Sequence, residues 1–389
     1  MIEQAAAIVA QPRKRLIAAS PFVWRHPSSI PPREWLYGRH YIRRFLSATV
    51  APGAAGKSSL ILAEAIAMAS GRPLLGVKVQ QPLRVWVWNG EDPLEELQRR
   101  VGAIMLHFGI DPIEIAGNLF LDSGRVSEMI IASGAPGGAL IHSPVVDAVI
   151  AAIIEWKIDV FSVDPFISSH LVNENDNGQI GAVAKTWARI ADSTRAAVEL
   201  VHHLRKGLGD GDRTADDARG AGALVAAARS VRVINTMTKK EAEKFGVDQP
   251  RSYFRVDDGK ANLAPLEAAR WHRLTSVDLG NSTEERQSDH VAVVEEWKRP
   301  DPFSEVTIHH LREVQKRVAA GAARRDAQSA AWVGIIVADV IGIDLGDVAG
   351  RGMVKSIVAK WIENDVLRVV EKEDKGRVKR KYVVAGVAV

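Results

Sequence analysis

The stretch Ala48-Thr49-Val50-Ala51-Pro52-Gly53-Ala54-Ala55-Gly56-Lys57-Ser58-Ser59 constrains the fold more than any other part of this chain. An apolar run passes through small residues into Gly-Lys-Ser and then into a helix-forming segment. Small side chains from Pro52 through Gly53, Ala54 and Ala55 to Gly56 let backbone N–H groups curl around a phosphate chain, and the helix that follows points its positive end at the anion. Lys57 can bridge the terminal phosphates, and the Ser58 hydroxyl, with Ser59 beside it, can ligate Mg²⁺. The cofactors this pattern calls for are ATP and Mg²⁺. One letter departs from it, because Ala51 stands where the first glycine belongs.

Around this cradle the chain alternates. Tyr41 to Val50 reads as a strand, Ser58 to Ser70 as a helix with Leu60, Ala63, Ile66 and Ala67 on one side, and Leu83 to Trp88 as a second strand. Glu95 to Phe108 and Val145 to Trp156 read as helices, Ile158 to Asp164 as a strand, Ile180 to Arg195 as a helix and Ala197 to His203 as a strand. Strand, helix, strand in this order implies parallel crossovers, hence an α/β fold with a mostly parallel sheet covered on both faces. Leu204 to Arg213 is too dense in glycine and charge for a regular element and reads as a loop. Strands are expected again at Ser230 to Asn235 and Tyr253 to Val256, with a closing strand ending near Leu274.

Ahead of this core, residues 1–35 are broken by Pro27, Pro31 and Pro32 and read as an arm. Behind it (36–275), the polar stretch 276–289 reads as a linker and 290–389 as a second module. There Val291 to Trp297, Thr307 to Val318, Ala327 to Ile341 and Met353 to Glu363 are expected to be helices, and Leu367 to Val384 two alternating runs around a charged turn. Helices followed by a hairpin is the order of a winged helix. A helix of such a module, here carrying Lys355, can enter a major groove while Arg377, Lys379, Arg380 and Lys381 on the wing neutralise phosphates. A solvated basic hairpin on a protein-binding module has the same signature. A length of 389 residues, 47% of them hydrophobic, supports one large core plus a smaller module. The lack of cysteine excludes disulfides, thiolate nucleophiles and cysteine zinc sites, and a net charge of +4 permits nucleic-acid partners without demanding them. No window offers about 18 uninterrupted apolar residues. Met1 to Pro12 lacks a leader-like pattern, so the expected location is the cytoplasm, with no membrane partner.

Hydrolysis asks for more than a phosphate cradle: a metal-side carboxylate and a group that orients water. Asp164, at the carboxyl end of its strand, is the candidate for the Mg²⁺ shell beside Ser58. Glu91, at the tip of Val85-Trp86-Val87-Trp88-Asn89-Gly90, is the candidate water activator, with Asp92 as its alternate; either acid can instead cap the helix at Glu95. His202 and His203 end a further strand and point to opposite faces, so at most one serves the site. His203 is the catalytic candidate, placed to contact the terminal phosphate or the water at Glu91.

With these residues in place the chain resembles the RecA-like, hexameric RepA-type replicative helicases of plasmids and phages, from about Phe45 to Arg273. The resemblance is carried by Ala51 to Ser58, the Gly90-Glu91-Asp92-Pro93 turn, Asp164, Asn173-Glu174-Asn175, His202-His203, Arg219-Gly220, Met237-Thr238, Glu241-Ala242-Glu243 and Gly259-Lys260-Ala261-Asn262. The family tolerates a non-glycine at the position of Ala51. What the resemblance implies is a RecA-like P-loop ATPase core assembled into a ring, with ATP at each interface and a cation supplied by the neighbouring subunit. Arg229 matches the trans-acting arginine best, and Arg100 and Lys260 are further candidates. The loop from Arg205 to Arg219 would line the central channel, where Arg205, Lys206 and Arg213 can track single-stranded DNA. The C-terminal module, expected to be a winged helix, lies outside the resemblance.

The function so implied is an ATP-dependent DNA helicase or translocase, working as a hexamer in plasmid or phage replication. Its rivals are an ATP-switched DNA-binding regulator or loader, and a nucleotide-dependent scaffold whose C-terminal module binds protein. Expected partners are further copies of the chain, single-stranded DNA and, through the C-terminal module, duplex DNA or a replication protein.

Overall fold

The computed structural model describes residues 19–204, 213–217, 222–299, 301–373 and 377–387. In chain order the core runs β1 (Leu46–Ala51), α1 (Lys57–Ser70), β2 (Val85–Asn89), α2 (Leu94–Phe108), β3 (Leu119–Ser123), α3 (Ser143–Glu155), β4 (Val160–Asp164), α4 (Asn177–Thr194), β5 (Ala197–His203), α5 (Gly222–Ala227), β6 (Ser230–Thr236), α6 (Lys239–Phe245), β7 (Tyr253–Ala261), β8 (Arg270–Asp278) and β9 (His290–Glu296). Among the described residues these strands form a nine-stranded sheet in the order β9-β8-β7-β6-β1-β5-β4-β2-β3. It is parallel from β6 to β3 and antiparallel through β7, β8 and β9.

Every residue of β1 is buried, as a central strand covered on both faces requires. Leu46, Ala48 and Val50 pack with Val146, Ile153, Ile180 and Trp187 of α3 and α4, while the other face carries α1 and α2 through Leu60, Ala63, Ile66 and Ile104. Trp86 stacks on Phe161 at 4.1 Å, and Phe161 meets the fully buried Trp187 at 5.8 Å. Fully burying side chains of this kind stabilises the fold by roughly 1.5–3 kcal/mol each.

On the α1 side the alternation of β1 presents Ser47 and Thr49, and both hydroxyls donate to the buried Glu199 of β5. Glu199 also accepts from His40 Nε2 at 2.9 Å. Arg232 of β6 donates to Thr49 Oγ1 at 2.7 Å and forks onto both carboxylate oxygens of Glu64 in α1 at 2.6 Å. This closed polar network ties the strand before the cradle to the helix after it.

The chain beyond β9 forms α7 (Ile308–Ala320), α8 (Val333–Ile341), α9 (Val348–Glu363) and a hairpin of β10 (Leu367–Glu373) and β11 (Lys379–Ala385). Val314, Val318, Val337, Ile357, Trp361 and Leu367 form their own core. This module meets the core sheet domain where α9 crosses the end of α6. Gly246 there has φ +67°, and a Cβ on it would lie 2.1 Å from Ala349 Cα, so only glycine admits this approach.

The structure corrects the expected helix over Val291 to Trp297: residues 290–296 are β9, paired along its length with β8. The expected linker 276–289 therefore holds the end of β8 and a hairpin connection inside the core sheet. A polar hairpin connection and an interdomain linker have the same composition, and four apolar residues do not separate strand from helix. The helix expected from Ala327 starts at Val333, and the one expected from Met353 starts earlier, at Val348. Short strands at Ala132–Ala135, Gly138–Ile141 and His170–Leu171 carry no clear sequence signal. The described residues 19–34 belong to a unit apart from Trp35–Val389. Its described part contains one 3-10 turn, Pro27–Ser29, and the exposed side chains of Phe22, Val23 and Trp24.

Candidate nucleotide site

The parallel strands deliver the candidate residues to one edge. β1 ends at Ala51, still paired with His203 of β5, so the first cradle position is extended backbone that any residue adopts. This accounts for the missing glycine. The turn comes later, where Ala54 and Gly56 take positive φ of 60° and 83°, and α1 starts at Lys57. Lys57 is buried at the mouth of that helix, and Ser58 lies close enough to Asp164 to lower the pKa of its carboxyl.

Asp164 ends β4 in register with Asn89 at the end of β2. Burial pushes its pKa above the ordinary value, against the opposing pull of Ser58 and of the Lys57 charge, while Glu91 pushes the same way as burial. Asn89 Oδ1 accepts from the N–H groups of both Glu91 and Asp92, at 2.9 and 2.7 Å, which fixes the turn carrying the two acids. The Glu91 carboxylate is over half exposed (58%) and lies 4.0 Å from His203 Nε2. Burial lowers the pKa of His203, Lys57 adds to that, and Glu91 opposes it. His202, on the opposite face, is buried against Phe166 and held neutral with its pKa lowered to about 4. Ser58 and Asp164 are a hard-oxygen pair beside a phosphate cradle, the donor chemistry Mg²⁺ takes.

A cavity of about 380 Å³ opens over the cradle, lined by Ala54 to Ser59 together with Glu96, Arg100, Leu274, His290, Val291 and Ala292. The last four come from β8 and β9, which the sequence pattern assigns to a closing strand, a linker and a helix. Arg100 is paired with Asp92 at 3.0 Å and Glu96 at 3.1 Å and lines the cavity of its own chain, so its reach is to its own cradle rather than to a neighbour's.

Arg229 and Lys260 lie at the other edge of the sheet. The Arg229 N–H donates to Leu46 O at the start of β1, one strand length, on the order of 17 Å, from the cradle. Lys260 pairs in register with Val231 and donates to the carbonyls of Val225 and Ala226 at the end of α5. Burial lowers its pKa, and the nearby Arg229 charge adds to this.

Of the residues expected to meet DNA, Arg205 and Lys206 lie outside the described residues, as do Arg219 and Gly220. Arg213 is held by its backbone to the side chain of Asn235. Lys355 is exposed on α9, and Arg377, Lys379, Arg380 and Lys381 are exposed on the hairpin. Register matters there: Lys379 lies opposite Glu373 and Lys381 opposite Glu371, whereas Arg380 lies opposite Lys372. Half of the expected basic wing faces carboxylates.

A Gly-Lys-Ser cradle between a buried parallel strand and a helix, with a strand-end aspartate beside its serine, defines a P-loop ATPase. The sequence also matches the model of a family described as an AAA domain over residues 12–209, half of its length, and the chain belongs to that family. Solved structures with similarity to it include an ATPase domain (13% identity, 58% of this chain and 81% of that one, TM-score 0.41) and the RadB recombinase (13%, 60% and 89%, TM-score 0.39). A structure of a DnaB-like replicative helicase and its interactions with primase also matches (14%, 60% and 56%, TM-score 0.43). Among the described residues no helix is long and apolar enough to cross a membrane.

Proposed function

We propose that this chain is a ring-forming, RecA-like ATPase that moves on DNA, of the RepA helicase type, with each active site completed by a neighbouring copy. The observation that carries this reading is the segregation of its charges. Lys57, Ser58, Asp164, Glu91 and His203 share the carboxyl edge of the sheet, while Arg229 and Lys260 sit together at the opposite edge, out of reach of their own cradle. Two adjacent cations with no role at their own nucleotide are suited to the nucleotide of the next subunit.

In this mechanism the N–H groups of the cradle and Lys57 bind and orient the phosphate chain. Ser58 and Asp164 would hold Mg²⁺, which when bound neutralises charge across the phosphates. Glu91 accepts a proton from the attacking water, and His203 orients Glu91 from 4.0 Å. Arg229 of a neighbouring copy stabilises charge on the departing phosphoryl oxygens, with Lys260 beside it. Burial raises the pKa of Asp164, and a cation held beside Ser58 would favour its ionised form.

The C-terminal module follows the winged-helix order, and we assign it to duplex DNA through Lys355 on α9 and the exposed hairpin residues Arg377, Lys379, Arg380 and Lys381. Strand displacement on a forked substrate tests the whole reading. ATP-dependent unwinding that disappears in Lys57→Ala supports it. DNA-stimulated ATP turnover without displacement would replace it with the loader or regulator.

A further inference from the structure

Where the ATPase core meets the C-terminal module there is a cavity of about 570 Å³ that the P-loop chemistry does not use. Its core side is formed by Lys244 and Phe245 of α6, Trp271 of β8 and the segment Trp297-Lys298-Arg299 after β9. Its module side is formed by Ala349, Met353 and Ser356 of α9. The floor is aromatic. Phe245 lies 5.6 Å from Trp271 and 6.0 Å from Trp297, and the two tryptophans are 5.9 Å apart, all crossing at steep angles.

The rim is cationic. Lys244 Nζ and the Arg299 guanidinium each lie within 6 Å of the Phe245 ring, at 5.9 and 5.8 Å. Lys244, Lys298 and Arg299 are exposed and make no ion pair among the described residues. These three cations stand against two carboxylates of the same lining, Glu296 and Asp301, and the surplus positive charge over an aromatic floor favours a further anion. An occupant that supplies both a flat ring and negative charge satisfies both surfaces at once, and the volume falls within the range of small-molecule sites.

We infer that this interdomain cavity binds a nucleotide unit, base against Phe245 and Trp297 and phosphate against Lys244, Lys298 and Arg299, at a site separate from the P-loop. The same chemistry is offered by a free nucleotide and by a residue of a single strand, and each leaves a different trace. Because one side of the cavity comes from α6, β8 and the segment after β9 and the other from α9, its occupant bridges those elements. The site is independent of the P-loop reading and can stand or fall without it.

The test uses the full chain and two probes: a short 5′-labelled oligothymidylate followed by fluorescence anisotropy, and AMP titrated calorimetrically into the Lys57→Ala chain, whose cradle is disabled. The double charge reversal Lys244→Glu/Arg299→Glu alters exposed side chains only. It is expected to weaken binding of at least one probe roughly tenfold, with the thermal midpoint and DNA-free ATP turnover retained. Phe245→Leu should weaken the same probe while leaving the charges intact. Loss confined to the oligonucleotide identifies a strand as the occupant; loss confined to AMP identifies a free nucleotide. Unchanged affinity for both probes in the charge-reversed chain would overturn the site. Failure of the P-loop reading would show elsewhere, as ATP turnover persisting in Lys57→Ala.

Discussion

Glu91 and Asp164 are both carboxylates at strand ends, yet their surroundings divide the work between them. Asp164 is buried beside Ser58, whereas Glu91 is mostly exposed and faces His203. Replacing Glu91 with glutamine keeps the shape and removes the proton acceptor. ATP turnover is expected to fall about 100-fold or more, with nucleotide affinity nearly unchanged; equal loss of both would assign Glu91 to shaping the turn. Three other histidines act on stability instead. Burial holds His170, His202 and His272 neutral, each with its pKa lowered to about 4. In the unfolded chain they take protons near pH 6.5. The native state thus binds fewer protons in this window, so stability is full above pH 6.5 and is lost as pH falls toward 4. The urea midpoint measured across that interval should drop, and His272→Leu should shallow the drop.

At the scale of elements, the cradle is held by the buried network of β1, β5, β6 and α1. Arg232→Ala would leave Glu64 buried without its partner, a loss of about 3–5 kcal/mol readable in chemical denaturation. The pKa of Glu199 opposes its burial: His40, Arg232 and the Ser47 hydroxyl together bring it below the ordinary value. The stability it contributes is present above the unfolded pKa and is lost as pH falls through the native one, so Glu199→Gln should flatten the acid limb. On the hairpin, Lys379 and Lys381 stand in register with Glu373 and Glu371, so Lys379→Glu/Lys381→Glu sets acids opposite acids and should weaken duplex binding, with a shallower salt dependence.

What was legible in the chain follows from how local each signal is. The cradle, Asp164 and Glu91 are each written within a few residues of a strand end, and the structure brings them to one edge. Ala51 looked anomalous only because a letter pattern does not show where a strand stops. The residues that close the cavity, Leu274 and His290 to Ala292, are distant in sequence and come from antiparallel strands joined by a polar turn that looks like a linker. Glu199 and Arg232 sit mid-strand, where a charge has meaning only once its partners on other elements are known. Which hairpin lysines stand opposite glutamates is likewise a property of register, not of composition.

At the scale of the whole molecule, the proposed active site is divided between copies. Arg229 and Lys260 lie at the opposite edge of the sheet from Lys57, so on this proposal a single copy would hold the nucleotide without completing the site, and hydrolysis would be conditional on assembly. The most direct measurement mixes two inactive chains. Lys57→Ala lacks a working cradle and Arg229→Ala lacks the arginine offered to a neighbour, so each alone should turn over ATP at least roughly tenfold more slowly than the unaltered chain. Co-assembled, they form some interfaces that join an intact cradle to an intact Arg229, and ATP turnover should recover to a substantial fraction of the unaltered rate. No recovery in demonstrably mixed assemblies, or full activity of Arg229→Ala by itself, would contradict a site shared between subunits.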